Sequence, residues 1–443
     1  MALSTQPYKG ARDFYPEDMR KQKYMFGKMR KAVEEYGYLE YGASLLEPED
    51  LYKAKSGDEI VNEQTYVFDD RGGRRVVIRP EMTPSVSRMV AARRQELAYP
   101  VRWYSIPNLW RYERPQRGRL REHWQLNVDI FGVEGVAAEQ EIIMVADAIF
   151  QEFGAKRSQY LIKLNSRKFL NYVLSDYLGL DAVQVTSVFR LIDRMAKIER
   201  ADFIAQADAI CRPDQREAGV VEKLLTILDA KGFDGLPEAV RTNPALNSLR
   251  MLLEMLHEAG VANAVFDVTI MRGLDYYTDI VFEINDTNPE NNRAMLGGGR
   301  YDGLVGLFGV EPVPTVGFGF GDVTLANFLE TNGLMPALPP ETDAYVVLAG
   351  DVLQASQRVL AEIRTQGVKL AVDITGRKLD KQLSTAVKQG VRYALIIGEQ
   401  ELADNRFTLR DLKTGTEERH SPERIVSLLQ DYRRPTGLLA DES

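Results

Sequence analysis

Two strand patterns flank an unusually charged segment, and this arrangement constrains the fold more than any other feature of the chain. Apolar and polar residues alternate at 101–106 and again at 125–131, as in half-buried strands. Residues 111–122, which lie between them, include five arginines together with Pro115 and Gly118. A simple hairpin needs only about two to five connecting residues, so this longer, charged connection predicts a loop with a function.

The remaining pattern indicates two domains with different architectures. Helices are predicted at 18–37, at 137–155 and through most of 166–260, and strands at 161–164, 264–284 and 314–321. After the proline-rich residues 336–340, strands and helices alternate, which is typical of an α/β domain with a mostly parallel sheet. The predicted units are an α+β domain at 1–335 with a mostly helical insertion at about 170–260, an α/β domain at 341–433 and a disordered tail at 434–443.

The composition limits the class of protein. The chain has 443 residues and a net charge of −8, so any nucleic-acid contact has to come from local basic patches on an acidic body. Cys211 is the single cysteine, which excludes an intramolecular disulfide and fits a reducing compartment. The histidines His123, His257 and His420 are too far apart in the sequence to predict a metal site. No secretory signal pattern and no run of about 18 apolar residues is present, so we expect a cytoplasmic protein without a membrane span.

The arginine-rich segment has two interpretations. Guanidinium groups are planar and carry several donors, so they suit the phosphate oxygens of a nucleotide or of an RNA backbone. A solvated surface loop held by salt bridges has the same composition. Both interpretations stay open on the residues alone.

Two shorter segments carry polar groups next to predicted strands. Glu81 and Thr83 suit the amino group of a ligand, or else they belong to a helix start that Thr83 or Ser85 caps. Arg272 stands beside Tyr276 and Tyr277, and the three offer one positive charge and two hydroxyls to a polar ligand. The alternative is a packed strand with half-buried tyrosines.

Two glycine-rich segments complete the set. Residues 297–303 lack the preceding strand of a dinucleotide-binding fingerprint and the acidic residue that follows it about 20 positions later. Residues 317–321 alternate glycine with phenylalanine, which suits a strand that a ligand or another backbone approaches closely.

In this order along the chain, the segments resemble those of class II aminoacyl-tRNA synthetases, and within that class those of the histidyl-tRNA synthetase family. Residues 111–125 resemble motif 2, and residues 272–277 and 298–304 resemble the two histidine-specific signatures. Segments within 376–398 resemble the anticodon-binding domain. The resemblance covers roughly residues 8–433 and implies an antiparallel catalytic sheet wrapped by helices.

The resemblance also implies an activity, the activation of L-histidine with ATP and its transfer to tRNA-His. Arg111 and Arg272 are implied to be the catalytic cations, at the α-phosphate and at the substrate carboxylate. Glu113 and His123 are implied to lie at the adenine. Magnesium is implied to be carried by the ATP phosphates, with no metal ligands from the protein.

A histidine site is implied as well. The α-amino group would meet Glu81, Thr83 and Gln125, and the imidazole would be read by Asp129 and Tyr277. A neutral imidazole has one donor and one acceptor, which a carboxylate and a hydroxyl match. The full implied set of histidine-binding residues is Glu81, Met82, Thr83, Arg111, Gln125, Asp129, Arg272, Tyr276 and Tyr277.

The remaining implied partners are macromolecules. Arg114 and Gln116, at the tip of the motif 2 loop, would approach the tRNA acceptor end. Motif 1 would form the interface of a homodimer. No membrane partner is implied.

Three positions depart from the family pattern. Thr324 stands where motif 3 ends with an arginine that lies against the adenine. His123 occupies the stacking position that is commonly phenylalanine, and Ser44 replaces the motif 1 proline.

Two other functions compete with the synthetase. A paralogue of the catalytic body serves as the regulatory subunit of ATP phosphoribosyltransferase, and we expect it to lack both Arg272 and the anticodon-type domain. A non-catalytic RNA-binding module would need a basic face, which the net charge of −8 disfavours.

Overall fold

The computed structural model describes residues 3–53, 64–271, 276–291 and 293–433. Two predicted features, the catalytic Arg272 and the disordered tail at 434–443, lie outside these residues. The chain divides into two compact units. The first comprises Met1–Phe14 and Met25–Pro336, and the second comprises Tyr15–Tyr24 and Ala337–Ser443.

The first unit is built on a nine-stranded sheet and a smaller three-stranded sheet. Its strands are β1 (Leu39–Glu40), β2 (Leu46–Pro48), β3 (Tyr66–Asp69), β4 (Arg75–Ile78), β5 (Val101–Ser105), β6 (Asn108–Trp110), β7 (Glu122–Phe131), β8 (Tyr160–Ser166), β9 (Ala264–Phe266), β10 (Ile280–Asp286), β11 (Ala294–Arg300) and β12 (Thr315–Gly321). The large sheet has the order β1-β5-β7-β12-β11-β10-β8-β9, with β6 paired to β7. Only β1–β5 and β8–β9 are parallel, so the sheet is mostly antiparallel.

Helices surround this sheet and fill the predicted insertion. Outside the insertion they are α2 (Glu49–Lys53), α3 (Thr83–Ala92), α4 (Ala137–Glu152), α12 (Asp322–Thr331) and, from Met25 onward, α1 (Pro16–Glu34). Between β8 and β9 they are α5 (Arg167–Asn171), α6 (Ala182–Asp193), α7 (Arg200–Ile210), α8 (Pro213–Glu217), α9 (Val220–Leu228), α10 (Glu238–Arg241) and α11 (Asn247–Glu258), with a π-helical turn at Tyr172–Tyr177. Short 3-10 turns lie at Arg157–Gln159, Met195–Lys197, Phe233–Gly235, Pro244–Leu246 and Val305–Phe308.

Aromatic packing holds α4 and α12 against the large sheet. The ring of Phe150 on α4 stacks on Tyr160 with centroids 4.4 Å apart. It also meets Phe320 on β12 at 5.3 Å and Phe328 on α12 at 5.2 Å. All four side chains are fully buried, and rings of this size contribute strongly to the hydrophobic stabilisation of a core.

The second unit contains a five-stranded sheet covered by helices. Its elements are β13 (Ala344–Ala349), α13 (Leu353–Thr365), β14 (Leu370–Val372), α14 (Leu379–Lys388), β15 (Tyr393–Gly398), α15 (Glu399–Asp404), β16 (Phe407–Asp411), β17 (Glu417–His420) and α16 (Pro422–Arg433), with the strand order β14-β13-β15-β16-β17. The expectation of a mostly parallel sheet is wrong, because β15–β16 and β16–β17 pair antiparallel. A parallel crossover needs about a dozen residues or more, and the connections after β15 and β16 are shorter.

The α+β fold predicted from the sequence is confirmed. The strand-like stretch at 264–284 separates into β9 and β10. None of the helices in the described part of the chain has the length and apolar character needed to cross a bilayer.

Candidate active site

Four glycines on β11 and β12 leave part of one face of the large sheet without side chains of its own. Gly297 pairs with Gly319 and Gly299 pairs with Gly317 across β11 and β12, so all four face the same side. We call Gly297, Gly299, Gly317 and Gly319 the glycine floor. A Cβ on Gly319 would lie 1.7 Å from Nε2 of Gln125, and one on Gly317 would lie 2.1 Å from Oδ1 of Asp129. These positions therefore have to lack a side chain for Gln125 and Asp129 on β7 to lie over the floor.

Tyr277 borders the floor on its other side. A Cβ on Gly299 would lie 2.9 Å from the ring of Tyr277. Tyr277 is buried and packs against Tyr276, with ring centroids 4.9 Å apart. Three predicted histidine-binding residues, Gln125, Asp129 and Tyr277, thus surround one patch of backbone that carries no side chains.

Asp129 is a buried carboxyl with one oxygen held and one available. The hydroxyl of Tyr301 donates a hydrogen bond to Oδ1. Oδ2 is buried and has no hydrogen-bond partner among the described residues. Burial disfavours the charged form and raises the pKa of Asp129 to about 7, against the lowering effect of the Tyr301 hydrogen bond. Near neutral pH this group can accept from a ring N–H or donate to a ring nitrogen.

Glu81 lies beside the tyrosine pair. The hydroxyl of Tyr276 donates to Oε2 of Glu81 at 3.2 Å, and the hydroxyl of Tyr52 donates to the Glu81 carbonyl at 3.0 Å. Glu81 and Met82 are both buried. Glu81 is therefore held by one hydrogen bond to its side-chain carboxylate and one to its backbone carbonyl.

The predicted helix cap after Glu81 is wrong. Helix α3 begins at Thr83, and the cap position is Met82, whose side chain makes no capping hydrogen bond. Pro84 lies in the first turn, where its missing N–H costs nothing. Ser85 lies inside the helix, and its hydroxyl donates to Oε1 of Glu47 at 2.9 Å.

Arg111 and His123 lie next to this region on the strand-loop-strand of β6 and β7. Nε of Arg111 donates to the carbonyl of Pro80 at 2.8 Å, and its terminal nitrogens have no hydrogen-bond partner among the described residues. Burial, reinforced by the charges of Arg111 and Arg12, lowers the pKa of His123 to about 3. His123 is therefore a neutral, planar ring at physiological pH, and the terminal N–H groups of Arg111 can donate to a ligand.

The five arginines of the loop divide between the two interpretations. Arg119 forms an ion pair with both oxygens of the buried Glu113. Arg121 donates to the Glu113 carbonyl at 3.1 Å and stacks over the ring of Tyr112 at 4.0 Å. Arg117 donates to Oδ1 of Asn291 at 3.0 Å. These three hold the loop in place, as the structural interpretation predicts.

Arg114 and Gln116 lie exposed at the loop tip. The backbone of Gln116 pairs with Arg119 through two hydrogen bonds of 2.9 Å, so the tip is a tight turn at Arg117 and Gly118. Arg114 has no ion pair with a described residue. Together with Arg111, Arg114 is available for the ligand-binding interpretation.

Sequence reasoning missed several residues that shape the site. Tyr301 orients Asp129, and its position inside the glycine-rich signature at 298–304 is the signal that could have revealed it. Arg300, in the same signature, instead forms an ion pair with the buried Glu139 at 2.6 Å. Arg12 donates to Oδ2 of Asp322 at 2.7 Å across 310 positions of sequence, and no local pattern signals this pair.

The arrangement combines the glycine floor with polar groups of opposite charge near it. Carboxylates at Glu81 and Asp129 suit a cationic amino group and a ring N–H, and Arg111 suits an anion. Within the described ranges, no group of three or more His, Cys, Asp or Glu side chains is placed to hold a metal ion.

The fold matches solved structures over nearly the whole chain. A crystal structure of histidyl-tRNA synthetase from Nostoc sp. PCC 7120 matches with a TM-score of 0.80 and 23% identity, covering 98% of this chain and 100% of that chain. An ATP phosphoribosyltransferase regulatory subunit/histidyl-tRNA synthetase from Bacillus halodurans C matches with a TM-score of 0.73 and 21% identity, covering 90% and 99%. A mostly antiparallel sheet of this order, with an arginine loop between β6 and β7, defines the catalytic fold of a class II aminoacyl-tRNA synthetase.

Sequence comparison narrows the class to one family. The family model for histidyl-tRNA synthetase matches residues 10–322, and that for the anticodon binding domain matches residues 343–432. The histidine–tRNA ligase of Leptospira biflexa is 42% identical over 414 residues, which cover 93% of this chain and 94% of that protein. The chain therefore belongs to the histidyl-tRNA synthetase family of aminoacyl-tRNA ligases, and the resemblance noted from its motifs is confirmed.

Proposed function

We propose that this protein activates L-histidine with ATP, giving histidyl-adenylate and pyrophosphate, and transfers the histidine to tRNA-His. The observation that carries the proposal is the glycine floor bordered by Gln125, Asp129 and Tyr277. Family membership supports it independently.

Histidine would lie over the glycine floor. Glu81, Thr83 and Gln125 would receive the α-amino group, and Met82 and Tyr276 would line the site. The available oxygen of Asp129 and the hydroxyl of Tyr277 would each take one imidazole nitrogen. The support is that Tyr301 already holds the other Asp129 oxygen, so Asp129 presents a single oxygen in a fixed direction. An analogue that lacks a ring nitrogen would leave a buried polar group unpaired, which costs about 1–3 kcal/mol.

ATP would bind next to histidine, with Arg111 at the α-phosphate and Glu113 and His123 at the adenine. A carboxylate oxygen of histidine would attack the α-phosphorus, and pyrophosphate would leave. Arg111 and Arg272 would stabilise the negative charge that develops during this step. Magnesium, bound to the phosphates, would supply further charge neutralisation. The support from the fold is that the terminal nitrogens of Arg111 have no partner among the described residues, while its Nε donates to the carbonyl of Pro80.

The larger partners follow from the same assignment. Arg114 and Gln116 would contact the tRNA acceptor end, which their exposure at the loop tip supports. We also propose a homodimer that forms through the motif 1 region and a cytoplasmic location. A monomer in sedimentation experiments at micromolar concentration would contradict the homodimer.

A histidine-binding regulatory subunit of ATP phosphoribosyltransferase is the alternative, and the similarity to the Bacillus halodurans structure is the observation that favours it. The match of residues 343–432 to the anticodon binding domain favours the synthetase. The test is exchange of labelled pyrophosphate into ATP without tRNA, with each amino acid in turn. Exchange with histidine alone supports the synthetase. Histidine binding without exchange supports the regulatory subunit.

A further inference from the structure

Arg293 is a half-buried cation to which the described residues supply no hydrogen-bond acceptor. It lies directly before β11, and it makes no hydrogen bond or ion pair within the described part of the chain. Burial and the positive charge of Arg119 lower the pKa of Arg293, and the charge of Glu113 opposes this. A guanidinium carries five N–H donors, and burying them without acceptors is unfavourable. The position therefore suits a ligand that supplies the missing contact.

The stem of Arg293 passes between the arginine loop and helix α12. A Cβ built on Gly118 would lie 3.4 Å from Cδ of Arg293 and 3.6 Å from Cγ2 of Thr324. Gly118 has a φ of +74° at the tight turn of the loop. The loop, Arg293 and the first turn of α12 thus meet at one glycine, and a Cβ at position 118 would be in van der Waals contact with both neighbours.

Thr324 contributes only its methyl group to the space between Gly118 and Arg293. Its hydroxyl donates to the carbonyl of Met295 on β11 at 2.8 Å and lies 3.0 Å from the carbonyl of Gly321. Helix α12 therefore supplies no cation here. Arg293 enters the same space from the neighbouring strand, and it brings a planar charged group into surroundings that are partly apolar.

We propose that Arg293 is a nucleotide-specificity residue whose guanidinium covers the aromatic face of the ATP adenine. The proposal rests on the proposed function, because it assumes that Glu113 and His123 mark the adenine site. Arg119 already pairs with both oxygens of Glu113, and Arg293 forms no ion pair with a carboxylate among the described residues. A desolvated guanidinium over an aromatic ring is a stabilising arrangement. Arg293 thereby compensates for Thr324 at the motif 3 position.

Binding measurements on the full-length chain test this assignment without relying on catalysis. Arg293→Met keeps an unbranched apolar side chain between Gly118 and Thr324 and removes the guanidinium. Arg293→Lys keeps the positive charge but lacks the planar guanidinium group. Adenosine and inorganic tripolyphosphate are titrated separately by calorimetry. We expect Arg293→Met to weaken adenosine binding about tenfold, the factor that a desolvated cation–π contact supports, and Arg293→Lys to lose nearly as much. Tripolyphosphate binding should change by less than about twofold.

Arg200→Met is the matched control for net charge. Arg200 is a surface residue on α7 that pairs with Asp229 at 2.5 Å, so its loss removes the same charge away from the nucleotide. Adenosine binding that is unchanged in Arg293→Met, or weakened equally in Arg200→Met, would overturn the proposal. A loss that falls on tripolyphosphate instead of adenosine would also overturn it, since it would assign Arg293 to the phosphates.

Histidine-dependent pyrophosphate exchange separates this proposal from the proposed function. In an active wild type, Arg293→Met should raise KM for ATP about tenfold and leave KM for histidine within about twofold. A wild type that binds adenosine through Arg293 but shows no exchange would contradict the proposed function alone. Exchange in the wild type with a normal KM for ATP in Arg293→Met would contradict the Arg293 assignment alone.

Discussion

The hydroxyl of Tyr301 donates a hydrogen bond to Oδ1 of Asp129, a residue 172 positions earlier in the chain. Strand β12 lies between β7, which carries Asp129, and β11, which ends directly before Tyr301, and Gly317 on β12 leaves the space that this contact needs. The second oxygen of Asp129 is buried without a partner in the described part of the protein. One hydrogen bond thus fixes the carboxyl and leaves a single oxygen for a ligand.

Replacement of Tyr301 by phenylalanine should shift the pH dependence of histidine use. The Tyr301 hydrogen bond lowers the pKa of Asp129, which is about 7, so its loss should raise that pKa. If the carboxylate accepts a ring N–H, kcat/KM for histidine rises as pH increases through this pKa. We expect the midpoint of that rise to move up by about one pH unit in Tyr301→Phe. An unchanged midpoint in Tyr301→Phe would show that Tyr301 does not act through Asp129. In Asp129→Asn, the rise of kcat/KM with pH should be absent.

The burial of Asp129 should also make stability depend on pH. An unfolded aspartate has a pKa of about 3.9, whereas burial raises the folded pKa to about 7. The folded state therefore holds this proton more tightly, and stability is lost as pH rises from about 4 to about 7. We expect Asp129→Asn to gain about 2 kcal/mol over the wild type on going from pH 5 to pH 8. Denaturant unfolding at the two pH values measures this, and a pH-independent difference would contradict it.

Gly319→Ala should impair histidine binding and leave the fold intact. The new Cβ would lie 1.7 Å from Nε2 of Gln125 and 2.8 Å from its Cδ, so the side chain of Gln125 has to move away. We expect KM for histidine to rise about tenfold, the effect of losing about 1.4 kcal/mol of binding. Gly303→Ala is the control, since a Cβ there meets nothing within 4 Å. Equal KM values in the two variants would argue against a role for Gln125.

The ion pair between Arg12 and Asp322 should stabilise the fold. Asp322 is buried, and it also accepts a hydrogen bond from the Trp124 backbone at 3.0 Å. Arg12→Ala leaves this carboxylate without its cation, so we expect a loss of about 2 kcal/mol in the free energy of unfolding. In Arg12→Ala/Asp322→Asn the uncompensated charge is gone, and the loss should be smaller than the sum of the single losses. Strict additivity in a double-mutant cycle would count against a direct interaction.

Local patterns predicted much of the architecture. The alternation at 125–131 predicts the part of β7 that carries Gln125 and Asp129, and β7 is present at Glu122–Phe131. The glycine alternation at 317–321 predicts a closely approached strand, and Gln125 and Asp129 lie against β12. These predictions succeed because a strand's side-chain period of two can be read from adjacent residues.

Other features depended on neighbours that local patterns do not include. The predicted side-chain cap near Thr83 is not formed, and the hydroxyl of Ser85 donates instead to Glu47, which is far away in the sequence. Strand β16 runs antiparallel to β15, and not parallel as predicted, because the connection between them is too short for a parallel crossover. The roles of individual loop arginines depended on which carboxylate, amide or ring each one meets.

The sequence by itself determined the family of this protein, the order of its strands and helices, and the segments that carry its polar site residues. Only the tertiary structure decided that Tyr301 holds Asp129, that Arg12 pairs with Asp322, and that Arg300 pairs with Glu139. The physical reason is that helix and strand patterns arise between residues a few positions apart. The partner of a buried polar group is set by the packing of distant segments, in which most buried donors and acceptors find a hydrogen-bond partner.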